Sequence, residues 1–154
     1  MSKMEVGKKA PVFTLNGTGG EWSLADAVGD HVVIYFYPRD NTPGCTQEGE
    51  SFTSHFAQFK KTGCKIVGIS ADSIESHEKF KKKMGFPFDL LSDPDQRICN
   101  LYDVIREKNM YGKKYMGIER STFLVDSKGV LRQEWRKVKV NGHAEAVLAA
   151  VKAL

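Results

Sequence analysis

VVIYFYPRDNTPGCTQEGE, residues 32–50, is the stretch whose reading decides the fold. It opens with six apolar residues in a row, without the alternation of a half-exposed strand, so residues 32–37 are expected to form a strand buried on both faces. Pro38 ends that run. Beyond Thr42, Pro43 and Gly44, the rings of Phe52, Phe56 and Phe59 recur at helical spacing, which predicts one helix over about residues 45–61, stopped by Gly63.

Working outward, CKIVGISAD supplies a second buried strand over residues 65–70. Asp72 or Ser73 can cap a following helix with Ile74, His77, Phe80 and Met84 on one face. Strand, helix, strand, helix is the rhythm of a parallel sheet with covering helices. FPFDLLSD reads as a short third strand and residues 94–104 as a short helix. STFLVDSKGVLRQEW reads as a hairpin turning at residues 126–129. Asn141 can cap a last helix that puts Val147, Leu148, Val151 and Leu154 on one side. Short strands are expected near residues 13–15 and 21–24, and residues 106–119 are too polar and glycine-broken for a core element, so an exposed loop is expected there. The sum is an α/β chain with a thioredoxin-like fold: a central mixed β-sheet flanked by helices, with an N-terminal strand extension.

At 154 residues, with 41% hydrophobic and 27% charged content, residues 1–154 fit one domain with its own core. The amino terminus lacks the pattern of a secretory signal and no apolar run approaches the roughly 18 residues that span a bilayer, so the expected compartment is the cytoplasm, with no membrane partner. The net charge of +4 raises nucleic acid as a partner, but Lys81, Lys82 and Lys83 lie in a helical reading beside Phe80 and Met84, as a solvated face. Without a DNA- or RNA-binding motif, no nucleic acid is expected. His31, His55, His77 and His143 have no ligand spacing with one another or with cysteine, so no metal is expected and the four are read as surface or packing residues. No flavin or nucleotide motif is present either, and no cofactor is expected.

Three cysteines are an odd number, and Cys45, Cys64 and Cys99 are spaced like neither a zinc site nor a redox CxxC, so at least one thiol is free. Cys45 follows a buried strand on the first turn of a helix, where ligands and reacting groups collect in open parallel sheets. Unpaired amides and the helix dipole favour negative charge there, and the thiolate is the reactive form. Thr42 can aim its hydroxyl at the sulfur or at an oxygen bound to it, while Pro38 and Pro43 stiffen the loop and shield the thiolate. The alternative makes Cys45 a small residue tucked under a loop; its polar, turn-rich surroundings favour the reactive reading. Cys64 opens an apolar strand and Cys99 lies in a short amphipathic helix, so both are read as packing residues.

The run Pro38, Thr42, Cys45 fits the peroxiredoxin pattern P-x-x-x-T-x-x-C, and DNTPGCTQE, ISAD, SDPD, YGKKYMGIERSTFLVD and GVL follow in order along nearly the whole chain. On these residues the sequence resembles the peroxiredoxin Q, or bacterioferritin comigratory protein, subfamily. The resemblance implies a thiol peroxidase in which Cys45 attacks hydrogen peroxide or an organic hydroperoxide and becomes a sulfenic acid. It also implies Arg120 as the guanidinium beside the thiolate, Thr42 as a peroxide holder, Pro38 as the water shield, and the amides of Gly44 and Cys45 as donors to the oxygens. Glu48 matches the acidic position that can orient the arginine, with a surface helix-dipole role as the alternative. Arg39, where the subfamily usually has lysine, is expected to be solvated.

The pattern departs at the second cysteine. The two resolving places known in relatives fall on Glu50 and Lys81. Gly49 in the same turn suggests a locally looser helix. A one-cysteine cycle is therefore expected, re-reduced by thioredoxin, glutaredoxin or a low-molecular-weight thiol such as glutathione. The competing scheme uses Cys99 as an unusual resolver and requires its helix to unwind. A CxxC-type disulfide reductase is disfavoured because Glu48 stands where its second cysteine would be. A redox-signalling or holdase protein switched by Cys45 oxidation is the alternative from another class. Relatives of this kind are often monomers, and the same is expected here.

Overall fold

The computed structural model describes residues 4–154. Its elements run β1 (Thr14–Gly17), β2 (Gly20–Ser23), α1 (Leu24–Ala27), β3 (His31–Phe36), α2 (Pro43–Ser54), α3 (Phe56–Lys61), β4 (Cys64–Ser70), α4 (Ile74–Met84), β5 (Asp89–Ser92), α5 (Arg97–Leu101), β6 (Ile105–Met110), β7 (Lys113–Ile118), β8 (Ser121–Val125), β9 (Leu131–Trp135) and α6 (His143–Lys152). Seven strands form one sheet in the order β2-β1-β5-β4-β3-β8-β9. β3 is parallel to β4 and antiparallel to β8, and β4 is parallel to β5, so the sheet is mixed as expected.

β3 lies inside the sheet with helices on both sides, which explains its unbroken apolar run. Val32, Ile34 and Phe36 enter one core with Cys99, Tyr102 and Phe123. Val33, Tyr35 and Tyr37 enter the other with Cys45, Phe52 and Phe59. The two cores sit on opposite faces of the sheet, because successive strand residues point to opposite sides.

Several local expectations are corrected. The helix begins at Pro43, with proline in the first turn where its missing N–H costs nothing. It does not run unbroken to residue 61 but ends at Ser54, with His55 between α2 and α3. The hydroxyls of Thr53 and Ser54 donate to the carbonyls of Gly49 and Ser51, and His55 Nδ1 lies 2.9 Å from the Ser51 carbonyl. Such local bonds compete with the helical ladder. Gly49 is no site of looseness: a Cβ there would lie 2.3 Å from the Phe86 ring, so glycine lets that ring pack against α2.

Residues 106–119 are not a loop. β6 and β7 pair in a separate two-stranded ribbon from Ile105↔Ile118 to Met110↔Lys113. Tyr111 (φ 53) and Gly112 (φ 79) both take left-handed backbone at its tip, as a two-residue hairpin turn demands. Most of the ribbon's side chains are exposed, so its sequence lacks the alternation that betrays a half-buried strand. At α4 the cap is Ser73, whose hydroxyl accepts from the Ser76 amide at 3.1 Å. At α6 Gly142, not Asn141, holds the N-cap position, with no side-chain cap, and Leu154 is exposed rather than on the buried side. Among the described residues, no helix is long and apolar enough to cross a membrane.

Candidate active site

β3 delivers the chain to the carboxyl edge of the sheet, where the Tyr37 amide still bonds the Ile69 carbonyl at 3.1 Å. Pro38 is half-buried, residues 38–42 turn, and α2 starts with Cys45 in its first turn. The Cys45 side chain is nearly closed off, at 2% exposure. β8 pairs with β3 in the register Phe36↔Ser121, so Arg120, one residue before β8, arrives at the same edge.

The meeting is close. Arg120 Nη2 donates to Cys45 Sγ at 3.4 Å, and Nη1 donates to Glu48 Oε1 at 2.6 Å. Glu48 is three residues after Cys45 and therefore on the same helix face. It is 1% exposed, so the surface helix-dipole alternative for Glu48 falls. Burial pushes the Glu48 carboxyl up to about 7, against the downward pull of the Arg120 guanidinium. Its second oxygen, Oε2, is buried and has no hydrogen-bond partner among the described residues. On the arginine, burial works downward, but the charges and hydrogen bonds of Glu48 and Cys45 outweigh it and raise the guanidinium's pKa. Gly44 has a steric reason to be glycine, since a Cβ there would come within 3.0 Å of Arg120 Nη2.

Thr42 sits at the helix N-cap, where its hydroxyl donates to the Arg39 carbonyl at 2.9 Å rather than to the sulfur. Arg39 itself is exposed, as expected. Pro38, Arg39 and Thr42 face the β6–β7 ribbon across a cleft of about 840 Å³, with Lys108, Tyr115 and Ile118 on the far wall. Lys108 was not singled out in the sequence, because nothing in its polar strand marks it. Its ammonium pKa is lowered by burial and by Arg120, partly offset by Cys45 and Glu119.

The other thiols lie elsewhere. Cys64 pairs with His31 at the opposite end of the parallel strands, and burial pushes its thiol up to about 12. Cys99 is fully buried in α5 within the core on the other face of the sheet, its thiol held well above the usual range by burial and then by Asp93. Lys81, at the second resolving place, pairs its ammonium with Asp89 at 2.8 Å.

The AhpC/TSA family pattern matches residues 6–134. Peroxiredoxin Bcp of Xanthomonas campestris pv. campestris is 56% identical over 92% of this chain and 88% of its own length. The chain belongs to the peroxiredoxins of the AhpC/TSA family. Peroxiredoxin Bcp of Bacillus subtilis is 47% identical over 97% of this chain and 96% of its own. Among solved structures, a peroxiredoxin Q of Xanthomonas campestris superposes with a TM-score of 0.87 at 54% identity, covering 92% of this chain and 90% of that one. A Cys-to-Ser mutant of the Xylella fastidiosa protein gives 0.92 at 42% identity, covering 99% and 98%.

As a peroxiredoxin the protein is a thiol-dependent peroxidase: its substrate is a hydroperoxide and its electrons come from a thiol. The fold is the thioredoxin-like one read from the sequence. Of the residues named there, the peroxiredoxin brings Pro38, Thr42, Gly44, Cys45, Glu48 and Arg120 to one edge of the sheet and leaves Cys99 behind it.

Proposed function

We propose that Cys45 is the residue that reduces the hydroperoxide and that it works in a one-cysteine cycle. The observation that carries this reading is the Arg120 guanidinium 3.4 Å from a sulfur seated on the first turn of α2. A cation and the open amides of a helix start both favour the thiolate. The thiolate attacks the terminal oxygen of ROOH; the S–O bond forms, the O–O bond breaks, and RO⁻ leaves and takes up a proton as water or alcohol. Negative charge grows on the two oxygens as this happens. Arg120 and the amides of Gly44 and Cys45 are the donors nearest that charge, and such donors contribute on the order of 3 kcal/mol each to the transition state. Pro38 closes the water side, and the Thr42 oxygen stands at the cleft mouth to hold the peroxide.

The sulfenic acid is then reduced from outside. A thiol R′SH gives the mixed disulfide and water, and a second R′SH releases Cys45 and R′SSR′. The position of Cys99 supports this cycle, since reaching Cys45 would require it to leave one core and pass the sheet to the other. A yeast mitochondrial 1-Cys peroxiredoxin, 25% identical over 97% of this chain and 76% of its own with a TM-score of 0.83, is resolved via glutathione/thioredoxin systems. Alkyl peroxide reduction is described for the Xanthomonas campestris bacterioferritin comigratory protein, 50% identical over 97% of this chain and 98% of its own, with a TM-score of 0.90. Thioredoxin, glutaredoxin or a glutathione-like thiol as reductant, organic as well as hydrogen peroxide as substrate, and a cytosolic monomer complete the proposal.

Stopped-flow oxidation of the reduced protein, with Cys45→Ser and Arg120→Ala beside it and mass spectrometry of the product, tests the cycle. One thiol oxidised rapidly to a sulfenic acid, dependent on both residues, is the expected result. An intramolecular loss of two hydrogens would sink the one-cysteine scheme.

A further inference from the structure

Behind the turn of residues 38–42 lies a buried polar cluster that the chemistry above does not use. Asp40 is the one buried residue of that turn, between exposed Arg39 and Asn41. Its Oδ1 accepts from the Tyr37 hydroxyl at 2.6 Å; its Oδ2 accepts from the Ser76 hydroxyl at 2.8 Å and meets His77 Nδ1 at 2.7 Å. The Asp40 amide donates to Asp72 Oδ2 at 2.8 Å, an oxygen that also accepts from the Ser70 hydroxyl at 2.6 Å. His77 is wholly buried, and its Nε2 lies 2.9 Å from the Leu91 carbonyl. A carbonyl only accepts, so Nε2 carries a proton, and Nδ1 faces Asp40 Oδ2 with the Tyr37 hydroxyl 3.3 Å away as its second neighbour.

Asp40, Asp72 and His77 bring their ligand atoms within 4.8 Å of one another, as a metal site would. Each carboxylate oxygen turned inward already accepts from O–H or N–H groups, so a cation would have to displace protein donors. The cluster reads instead as a tie between elements. It joins the turn (Asp40) to β3 (Tyr37), the end of β4 (Ser70, Asp72), β5 (Leu91) and α4 (Ser76, His77). Lys83 of α4 adds a bond to Asn41 Oδ1 at 2.9 Å. Within the turn Asn41 sits at φ 62, a left-handed conformation that asparagine tolerates better than most residues with a side chain.

We propose that the Asp40–His77 pair is a positioning element of the peroxidase site, a latch from α4 that sets Pro38 and Thr42 at the mouth over Cys45. It touches neither sulfur nor peroxide. Pro38 lies two residues before Asp40 and Thr42 two after, so moving Asp40 moves both. Two acceptor oxygens, and not shape alone, are what the cluster requires of residue 40: in Asp40→Asn one acceptor becomes a donor aimed at other donors. The proposal rests on Cys45 being the peroxide-reducing residue.

The test compares two reactions of the same thiol. Oxidation by hydrogen peroxide needs the mouth in place, whereas alkylation by iodoacetamide needs only an available thiolate. Because small misplacements of reacting groups cost up to about 100-fold, Asp40→Asn and His77→Gln are expected to oxidise at least about tenfold more slowly while their alkylation changes less than about threefold. Peroxide rates within twofold of wild type in variants with native near-UV circular dichroism would overturn the latch. So would equal loss of both reactions. Should either variant not fold, Ser76→Ala and Tyr37→Phe each remove one donor to Asp40 and leave the Asp40–His77 contact; a few-fold slower peroxide reaction with unchanged alkylation is expected, and unchanged rates overturn the proposal. Wild-type oxidation that survives Cys45→Ser would bring down the Cys45 assignment and the latch together, whereas a normal wild type beside an unaffected Asp40→Asn brings down the latch alone.

Discussion

Arg120 reaches Cys45 with one amino group and Glu48 with the other, 3.4 Å to the sulfur and 2.6 Å to the carboxylate oxygen. The fork of the guanidinium makes this possible, since an ammonium has no two donors fixed at that separation. The carboxylate aims the arginine, and the arginine offers its second donor to whatever charge stands on the sulfur or beside it.

Removing the fork should therefore cost rate even where the charge is kept, and removing both should cost more. Arg120→Ala is expected to slow Cys45 oxidation by about 100- to 1,000-fold, the range for loss of one transition-state donor, and Arg120→Lys by about tenfold. Arg120→Ala also leaves Glu48 buried without its partner, a loss on the order of 3–5 kcal/mol. Adding Glu48→Gln to Arg120→Ala should restore much of the melting temperature and none of the rate. Stopped-flow kinetics and thermal melts on the same samples check both halves.

Glu48 gives a pH dependence with a definite sign. Its carboxyl is raised by burial from 4.5 to about 7, so the folded state holds the proton more tightly than the unfolded chain. For a raised acid, the protonated folded form is favoured, and stability falls as pH rises from about 4.5 through 7. Glu48→Gln has no such proton to lose. The melting temperature of Glu48→Gln relative to wild type should therefore climb between pH 5 and 8. A difference that is flat across that range would show that the carboxylate is not held near neutrality.

Much of this was legible in the sequence. Strands buried on both faces announce themselves as continuous apolar runs, and Cys45 was placed by the strand-to-helix change alone. What the sequence did not disclose depended on contacts distant along the chain. The β6–β7 ribbon shows no periodicity because neither of its faces is buried. The break at His55 rests on hydroxyls whose choice of partner is settled only in the folded helix. The Asp40–His77 pair joins residues 37 apart, and no spacing rule connects a turn aspartate with a helix histidine. Gly49 reads as a looser helical turn until Phe86 is seen beside it, and the steric need for glycine at 44 shows only with Arg120 in place.

Gly49 separates two explanations cleanly. If it were a point of looseness, Ala would stabilise α2 by about 1 kcal/mol through helix propensity. Because a Cβ would sit 2.3 Å from the Phe86 ring, Gly49→Ala is expected to destabilise the protein by about 1–3 kcal/mol instead. Trimming the ring in Gly49→Ala with Phe86→Leu should recover part of that loss. Urea unfolding of the two single variants and the double variant reads the sign directly.

The last prediction concerns which thiols take part. A disulfide needs its two Cα atoms within about 7 Å. Cys64 begins β4 opposite His31, so some 16 Å of strand, at about 3.3 Å per residue, separates it from the edge where β3 delivers the chain to Cys45. Cys99 belongs to the core on the other face, behind the sheet. Both thiols are buried and held in the unreactive protonated form, Cys64 near 12 and Cys99 higher still. Cys64→Ser and Cys99→Ser should therefore oxidise at the wild-type rate and turn over normally with an external thiol, whatever stability they lose. Mass spectrometry after one equivalent of peroxide should find the added oxygen on Cys45 alone, and after glutathione a single mixed disulfide on the same residue. Turnover that stops in Cys99→Ser, together with a Cys45–Cys99 disulfide in the wild type, would mean that α5 unfolds during the cycle and that the sheet is no barrier to resolution.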